Sequence, residues 1–183
     1  MTKLEAFLEL LKKYIDHYNL MIDFMYVNQA SLEYDIIILI TRIKDLLTQE
    51  ERAIFDEEIK TNIIPYACPI EGEFVAYKIC TMKRDPNSRR LVKLLIPTDA
   101  RRSSSFGTKC RCDKAKVLEI TDLHTGKACK VAYSFYDSNF RYTVGEIISV
   151  ENFDENRWDE CGPGIHFFMD KEEACKYRLS IVK

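Results

Sequence analysis

The chain has 183 residues, a net charge of −2, and 46% hydrophobic and 31% charged residues. This composition is typical of a soluble globular protein and excludes a disordered or fibrous chain. The longest apolar run, residues 36–40, is far shorter than the about 18 residues that a membrane span needs. No signal peptide is evident, and the seven cysteines are an odd, scattered set. We therefore expect a cytoplasmic protein with reduced thiols and no membrane association.

Residues 1–64 have the apolar spacing of amphipathic helices. Leu4, Leu8, Leu11 and Ile15 lie on one face of a first helix, and Ser31 is a suitable N-cap for a second. Thr48 followed by Glu51 is a capping box, which predicts a third helix. Residues 21–27 add a fourth helix if they are separate. We expect a small bundle or packing layer that serves interaction or oligomerisation.

After Pro65 the sequence changes to β-branched and aromatic runs separated by turn residues. Asp170 with Glu173 predicts a cap for a last short helix over residues 171–179. The predicted fold class is α+β: an N-terminal helical bundle or layer over residues 1–64, then a mostly antiparallel β-sheet domain with basic loops and a short C-terminal helix over residues 70–183. The six predicted strands cover residues 72–80, 90–97, 114–121, 127–135, 142–150 and 164–169.

Positive charge is concentrated in residues 83–116, where eleven Lys and Arg stand against three Asp, a net charge of +8. Guanidinium groups, hydroxyls and a glycine in this segment are typical of a polyanion site. The segment predicts nucleic-acid binding, with RNA favoured, through Arg89, Arg90, Arg101, Arg102, Lys109 and Arg111. Two alternatives stay open: solvated loops paired with acids, or loops that meet the acidic helices of a second copy in a homodimer through residues 1–64.

Two residues near the C-terminus are candidates for catalysis. Strand alternation places His166 on the opposite face from Ile165 and Phe167, so it can face a groove beside the basic loops and act as a metal-independent acid or base in RNA cleavage. Cys161, five residues earlier across a Gly-Pro-Gly turn, is a second and less favoured candidate, as a nucleophile. The alternative for both residues is a purely structural role in a hairpin.

A metal site is the remaining chemical hypothesis. Cys110 and Cys112 would point the same way from a strand, and Cys129, Cys161 or His166 could complete a zinc site. The sequence does not bring these residues together, so ordinary thiols are favoured and no cofactor is predicted.

The blocks "EGEFVAYKIC", "LVKLLIPTDARRSSSFGTKCRCDKAKVLEI" and "CGPGIHFFMDKEEA" resemble an uncharacterised β-rich domain family found in phage and giant-virus proteins and attached to pentapeptide repeats. The resemblance covers about residues 71–177 and implies no activity. It implies a shared β-rich unit in which Arg101, Arg102, Lys109, Arg111, Cys161 and His166 lie in the recurring blocks.

Three functional hypotheses follow, and whether the protein is an enzyme stays open among them. The first is a phage-type nucleic-acid-binding protein, with ribonuclease activity through His166 as its extension. The second is a non-enzymatic interaction module, such as a phage inhibitor of a host ribonucleoprotein or defence complex. The third is a thiol or zinc site on Cys110, Cys112 and Cys161.

Overall fold

The computed structural model describes residues 1–25, 29–83 and 85–177. The chain forms two compact units, Met1–Pro65 and Tyr66–Lys183. The first unit is helical, and the second contains a large antiparallel sheet followed by a short helix. The α+β prediction is therefore confirmed.

The helical unit contains α1 (Lys3–Met25), α2 (Gln29–Asp45) and α3 (Gln49–Glu58), which runs on into one π-helical segment, Ile59–Ile63. The predicted capping box is present, because Thr48 and Glu51 each accept a backbone N–H of the other. Residues 21–25 continue α1 instead of forming a helix of their own, and residues 26 and 27 lie outside the described residues.

The core of the helical unit is built from the predicted apolar faces. Leu11, Ile40 and Phe55 are almost completely buried, whereas Leu10, Tyr34, Leu46 and Ile54 are exposed. No helix in the described part of the chain is both long and apolar enough to cross a membrane. Homodimer formation through residues 1–64 stays a prediction.

The strands of the β-rich unit are β1 (Phe74–Met82), β2 (Asp85–Ile96), β3 (Arg102–Ser104), β4 (Lys109–Cys112), β5 (Lys114–Asp122), β6 (Val131–Tyr133), β7 (Arg141–Thr143), β8 (Ile147–Ser149) and β9 (Ile165–Phe168). In residues 66–83 and 85–177 they pair in the order β3-β4-β9-β1-β2-β5-β8, every pair antiparallel, and the β6–β7 hairpin joins β1 through Thr81 and Tyr133.

Helix α4 (Lys171–Lys176) follows, capped as predicted by Asp170, which accepts the backbone N–H of Glu173. The predicted end of this helix, residues 178 and 179, lies outside the described residues.

Part of the basic segment, expected as loop, forms strands β3 and β4. Cys110 and Cys112 are buried and occupy the apolar positions of β4. The strand is hard to recognise in the sequence, because the residues that alternate with these cysteines are the charged Lys109 and Arg111. The predicted strand over residues 142–150 divides into β7 and β8, since Gly145 has a φ of 90° in the turn between them. The predicted turn at Asp85 is the start of β2.

The sheet buries residues on both of its faces. Val92, Leu94 and Ile96 alternate along β2 and are fully buried in the main core, whereas Ile79, Leu91 and Phe168 pack with Ala174 of α4 in a smaller cluster. The same alternation has a consequence in β1: Lys78 lies between Ala76 and Cys80 in sequence and shares their face. A lysine is therefore placed on the side of the strand that faces the main core.

Candidate functional site

The side chain of Lys78 lines a cavity of the β-rich unit that has a volume of about 660 Å³. This size falls within the range of small-molecule sites, about 300–1,000 Å³. The walls come from β1, β4, β7, β9, the segment after β6, the segment after β8 and the Gly-Pro-Gly turn. The lining residues are Lys78, Ile79, Lys109, Ser134, Phe135, Tyr136, Asp137, Phe140, Tyr142, Val150, Glu151, Asn152, Cys161, Gly162, Pro163, Gly164, His166, Phe168 and Tyr177.

Lys78 has no acidic partner within the described part of the chain. Its Nζ donates a hydrogen bond to the carbonyl oxygen of His166 at 2.9 Å and lies 6.0 Å from the centre of the Tyr142 ring. Burial lowers the pKa of Lys78, since desolvation disfavours the ammonium form. The cavity therefore contains a lysine whose ammonium form no carboxylate of the described residues compensates.

His166 is neutral at neutral pH. Its Nε2 lies 3.0 Å from the carbonyl oxygen of Glu160, and because a carbonyl only accepts, Nε2 carries the proton and Nδ1 is left as an acceptor. Burial lowers the pKa of His166 to about 4, and the positive charges of Lys78 and Lys109 act in the same direction. The imidazole is therefore a weak base here, and near pH 7 it is not in the imidazolium form that acts as a general acid.

Lys109 and Cys161 stand together at the cavity wall. Lys109 Nζ lies 3.9 Å from the sulfur of Cys161 and 3.5 Å from a carboxylate oxygen of Glu160. The Lys109 side chain is 16% exposed, so its charge is held close to the cavity instead of extending into solvent. The structure thus brings Lys109, Cys161 and His166, three of the sequence candidates, to one cavity.

Aromatic rings form much of the remaining wall. Phe140 packs against Tyr142 with ring centres 5.3 Å apart, and Phe168 packs against Tyr177 at 5.2 Å. The hydroxyl oxygens of Tyr136 and Tyr177 are 3.0 Å apart. Aromatic faces beside ammonium groups can hold a planar ligand that carries negative charge.

The predicted nucleic-acid-binding arginines bond to other segments of the β-rich unit and do not line the cavity. Arg89 donates to the carbonyl oxygens of Cys175 and Tyr177, and Arg90 to that of Val131. Arg102 donates to four carbonyls, those of Pro69, Gly72, Pro97 and Thr98, at 2.7–3.3 Å, and lies over the Phe74 ring. Arg101 is paired with Asp113 and Glu155 at 3.0 and 2.9 Å. In the structure these side chains connect segments of the fold.

Arg111 shows the same behaviour most fully. It is 2% exposed, donates to the carbonyl oxygens of Asp154 and Asn156, and lies 3.9 Å from the Asp154 carboxylate. The two glycines of the Gly-Pro-Gly turn lie directly against it. A Cβ at Gly162 would stand 3.2 Å from Arg111 Cζ and 2.8 Å from an Asp154 carboxylate oxygen, and one at Gly164 would stand 3.1 Å from Arg111 Cδ. These glycines therefore make room for a buried arginine.

The cysteines of β4 are buried thiols. Hydrogen bonding to Cys110 and burial raise the pKa of Cys68, and burial raises the pKa of Cys112 to about 12. Cys112 donates weakly to the carbonyl oxygen of Ile165 at 3.8 Å. In the described residues, no three His, Cys, Asp or Glu side chains are placed to hold a metal ion. The structure does not bring Cys110, Cys112, Cys129, Cys161 and His166 together as zinc ligands.

Sequence reasoning missed Lys78 and the aromatic wall. The available signal was that Lys78 is the only charged residue of the strand "FVAYKICTM". A lone charge in an apolar strand points to a buried polar group, and buried ionisable groups concentrate at functional sites. The aromatic residues gave no such signal, because aromatic side chains are ordinary constituents of strands.

Comparison with known proteins agrees with the resemblance seen in the sequence. Residues 64–174 match the family described as "Family of unknown function (DUF5758)", and this range includes most of the cavity wall. The chain is also 36% identical over 100 residues to "Uncharacterized protein L223" of Acanthamoeba polyphaga mimivirus; the match covers 50% of this chain and 64% of that protein, so this chain spans less than two thirds of its relative's length. No solved structure matches the chain. Attachment to pentapeptide repeats and a phage setting stay predictions. The chain belongs to the family of unknown function DUF5758.

Proposed function

We propose that the β-rich unit binds single-stranded RNA by holding one unstacked nucleotide in the cavity, with its phosphate at Lys78 and Lys109. The observation that carries this proposal is Lys78, which has no acidic partner among the described residues and lies in an aromatic-walled cavity. A phosphate supplies a negative charge that stabilises the Lys78 ammonium, and a nucleobase fits aromatic faces such as Phe140. The proposal keeps the nucleic-acid partner and the cytoplasmic location predicted from the sequence and moves the contact from the arginines to the cavity.

Binding without cleavage is the form of the proposal that the chemistry supports. Metal-independent RNA cleavage needs an acid that can protonate the leaving oxygen, and the pKa of His166, about 4, leaves its imidazole unprotonated at neutral pH. Its Nε2 proton is directed at the Glu160 carbonyl. His166 can therefore contribute an acceptor, Nδ1, to a bound nucleotide.

Fluorescence anisotropy with a labelled eight-nucleotide RNA tests the proposal. Lys78→Met removes a charged donor, so we expect binding to weaken about 10- to 100-fold. Lys116→Gln is the matched control, because Lys116 is an exposed lysine on β5 outside the cavity, and it should leave affinity unchanged. Equal affinities for wild type and the Lys78 variant, or no binding at low salt, would contradict the proposal.

Competition with small ligands separates the two parts of the recognition. Adenosine 5′-monophosphate should compete better than ribose 5-phosphate, because only the first offers a base to the aromatic wall. If the mononucleotide binds as tightly as the RNA, the ligand is a free nucleotide and the RNA claim fails. We expect the RNA to stay intact after prolonged incubation with the protein, because the proposal includes binding and no cleavage.

A further inference from the structure

Lys78 lies in an apolar environment and has no acidic partner. Lys109 and Lys114 are paired with Glu160 and Asp99, whereas no Asp or Glu of the described residues forms an ion pair with Lys78. Its neighbours on the same strand face, Ala76 and Cys80, are fully buried and apolar. Burial lowers the pKa of Lys78, so a larger fraction of its amine is neutral than in an exposed lysine.

The amine nitrogen is also accessible to a ligand. Lys78 lines the 660 Å³ cavity, and its Nζ donates a hydrogen bond to the carbonyl oxygen of His166 at 2.9 Å. A neutral amine has two N–H groups and a lone pair, so this bond orients the nitrogen while the lone pair stays available. Lys109 at the same cavity adds a positive charge that further disfavours protonation of Lys78.

We propose that Lys78 is a nucleophilic amine that forms an imine with an aldehyde or ketone ligand in the cavity. The nitrogen attacks the carbonyl carbon and a C–N bond forms. The carbonyl oxygen takes both protons of the amine and leaves as water, so the step needs no oxidant or reductant. The aromatic wall at Phe140 and Phe168 indicates a ligand with a planar, apolar body. This inference goes beyond RNA binding and does not depend on it.

Reductive trapping tests the imine directly. The full-length protein is incubated at pH 7 with 4-hydroxybenzaldehyde and sodium cyanoborohydride, which reduces an imine to a stable secondary amine, and the modified lysines are identified by peptide mass spectrometry. We expect Lys78 to be labelled at least about tenfold faster than exposed Lys116, because a larger fraction of its amine is neutral. Labelling of Lys78 no faster than of Lys116 would overturn the proposal.

Two variants test whether Lys78 is the reactive amine. Lys78→Arg retains a positive charge but cannot form an imine, so it should lose the adduct and leave Lys116 labelling unchanged. Lys78→Met fits the apolar face if the arginine is not tolerated, and circular dichroism checks both folds. An unchanged total of adduct in either folded variant would place the reactive amine elsewhere and contradict the assignment. If the wild-type protein forms the Lys78 adduct but does not bind RNA, only the proposed function is contradicted.

Discussion

Single residues on the buried faces of β1 and β9 set the chemistry of this protein. Lys78 and His166 are both ionisable, both lie at the cavity, and both are pushed toward their neutral forms by burial. Two nitrogen groups that burial shifts toward their neutral forms differ from the charged basic cluster that the sequence indicates. Together they offer a ligand a hydrogen-bond acceptor as well as donors.

The titration of His166 makes stability depend on pH. Because the pKa is about 4 in the folded protein and about 6.5 in the unfolded chain, the unfolded chain binds more protons between these values, and folding is favoured as pH rises through them. We expect the free energy of unfolding to fall by about 2 kcal/mol from pH 7 to pH 4 on account of this group, a value reduced for its partial exposure. Urea unfolding of wild type and His166→Gln measures the difference.

The test compares how the free energy of unfolding changes with pH in the wild type and in His166→Gln. His166→Gln keeps a side-chain amide N–H that can reach the Glu160 carbonyl but removes the titration, so its stability should change less over this pH range. Parallel pH profiles for the two proteins would show that His166 is not the group responsible. Above pH 7 the profiles should run together, since His166 is neutral in both the folded and the unfolded states.

Among the elements, strand β4 carries the connection between the sheet and the segment that follows β8. Arg111 reaches from β4 to the carbonyl oxygens of Asp154 and Asn156 while remaining 2% exposed. Removing its side chain takes a donor from each of these carbonyls and opens a space beside Phe153 and the two glycines. Arg157, whose Nε donates to the carbonyl oxygen of Ser104 in β3 at 2.9 Å, is a second link between this segment and the sheet.

We expect Arg111→Ala to lower the free energy of unfolding by about 3–5 kcal/mol, as breaking a buried charged network does. Arg101→Ala is the matched control: Arg101 also bonds to two partners, but its side chain is 48% exposed, and exposed pairs contribute at most about 1 kcal/mol. Urea unfolding of both variants gives the comparison. Similar losses for the two arginines would contradict this account of Arg111.

Local signals in the sequence predicted the elements that depend on local physics. The caps at Thr48 and Asp170 follow from side chains that bond to a backbone N–H three residues away, so sequence alone identifies them. Strands β3 and β4 could not be found this way, because β4 pairs with β9 more than fifty residues further on. The cavity could not be predicted for the same reason, because its walls come from segments far apart in the chain. The single charged residue of β1, Lys78, was the local signal for it.

For the whole molecule, the uneven distribution of charge along the sequence does not carry over to the folded surface. The guanidinium groups of Arg102 and Arg111 bond to backbone carbonyls, and Arg101 is paired with two acids. A segment with a net charge of +8 therefore acts largely as internal connections of the fold. Among the described residues, the lysines at the cavity wall are Lys78 and Lys109.

This distribution predicts a shallow salt dependence of RNA binding. Each phosphate neutralised on a single strand contributes about 0.7 to the slope of log K against log salt, so two lysines give a slope of about −1.4, whereas the six residues predicted from the sequence would give about −4. Anisotropy titrations between 50 and 300 mM salt distinguish these values, with Lys116→Gln expected to match the wild type. A slope near −4 would show that the arginines, and not the cavity, bind the RNA.

The contact of Gly162 and Gly164 with Arg111 also constrains how the family can diverge. A methyl group at either glycine meets the guanidinium or its aliphatic stem at 3.1–3.2 Å, so the space is shared between the turn and the arginine. A lineage that replaces Arg111 with a smaller residue frees that space and lowers the penalty on larger residues in the turn, while the Asp154 carboxylate and the Phe153 ring remain as neighbours. We therefore expect these three positions to change together among related sequences, so that their substitution history shows covariation even though they lie some fifty residues apart in the chain.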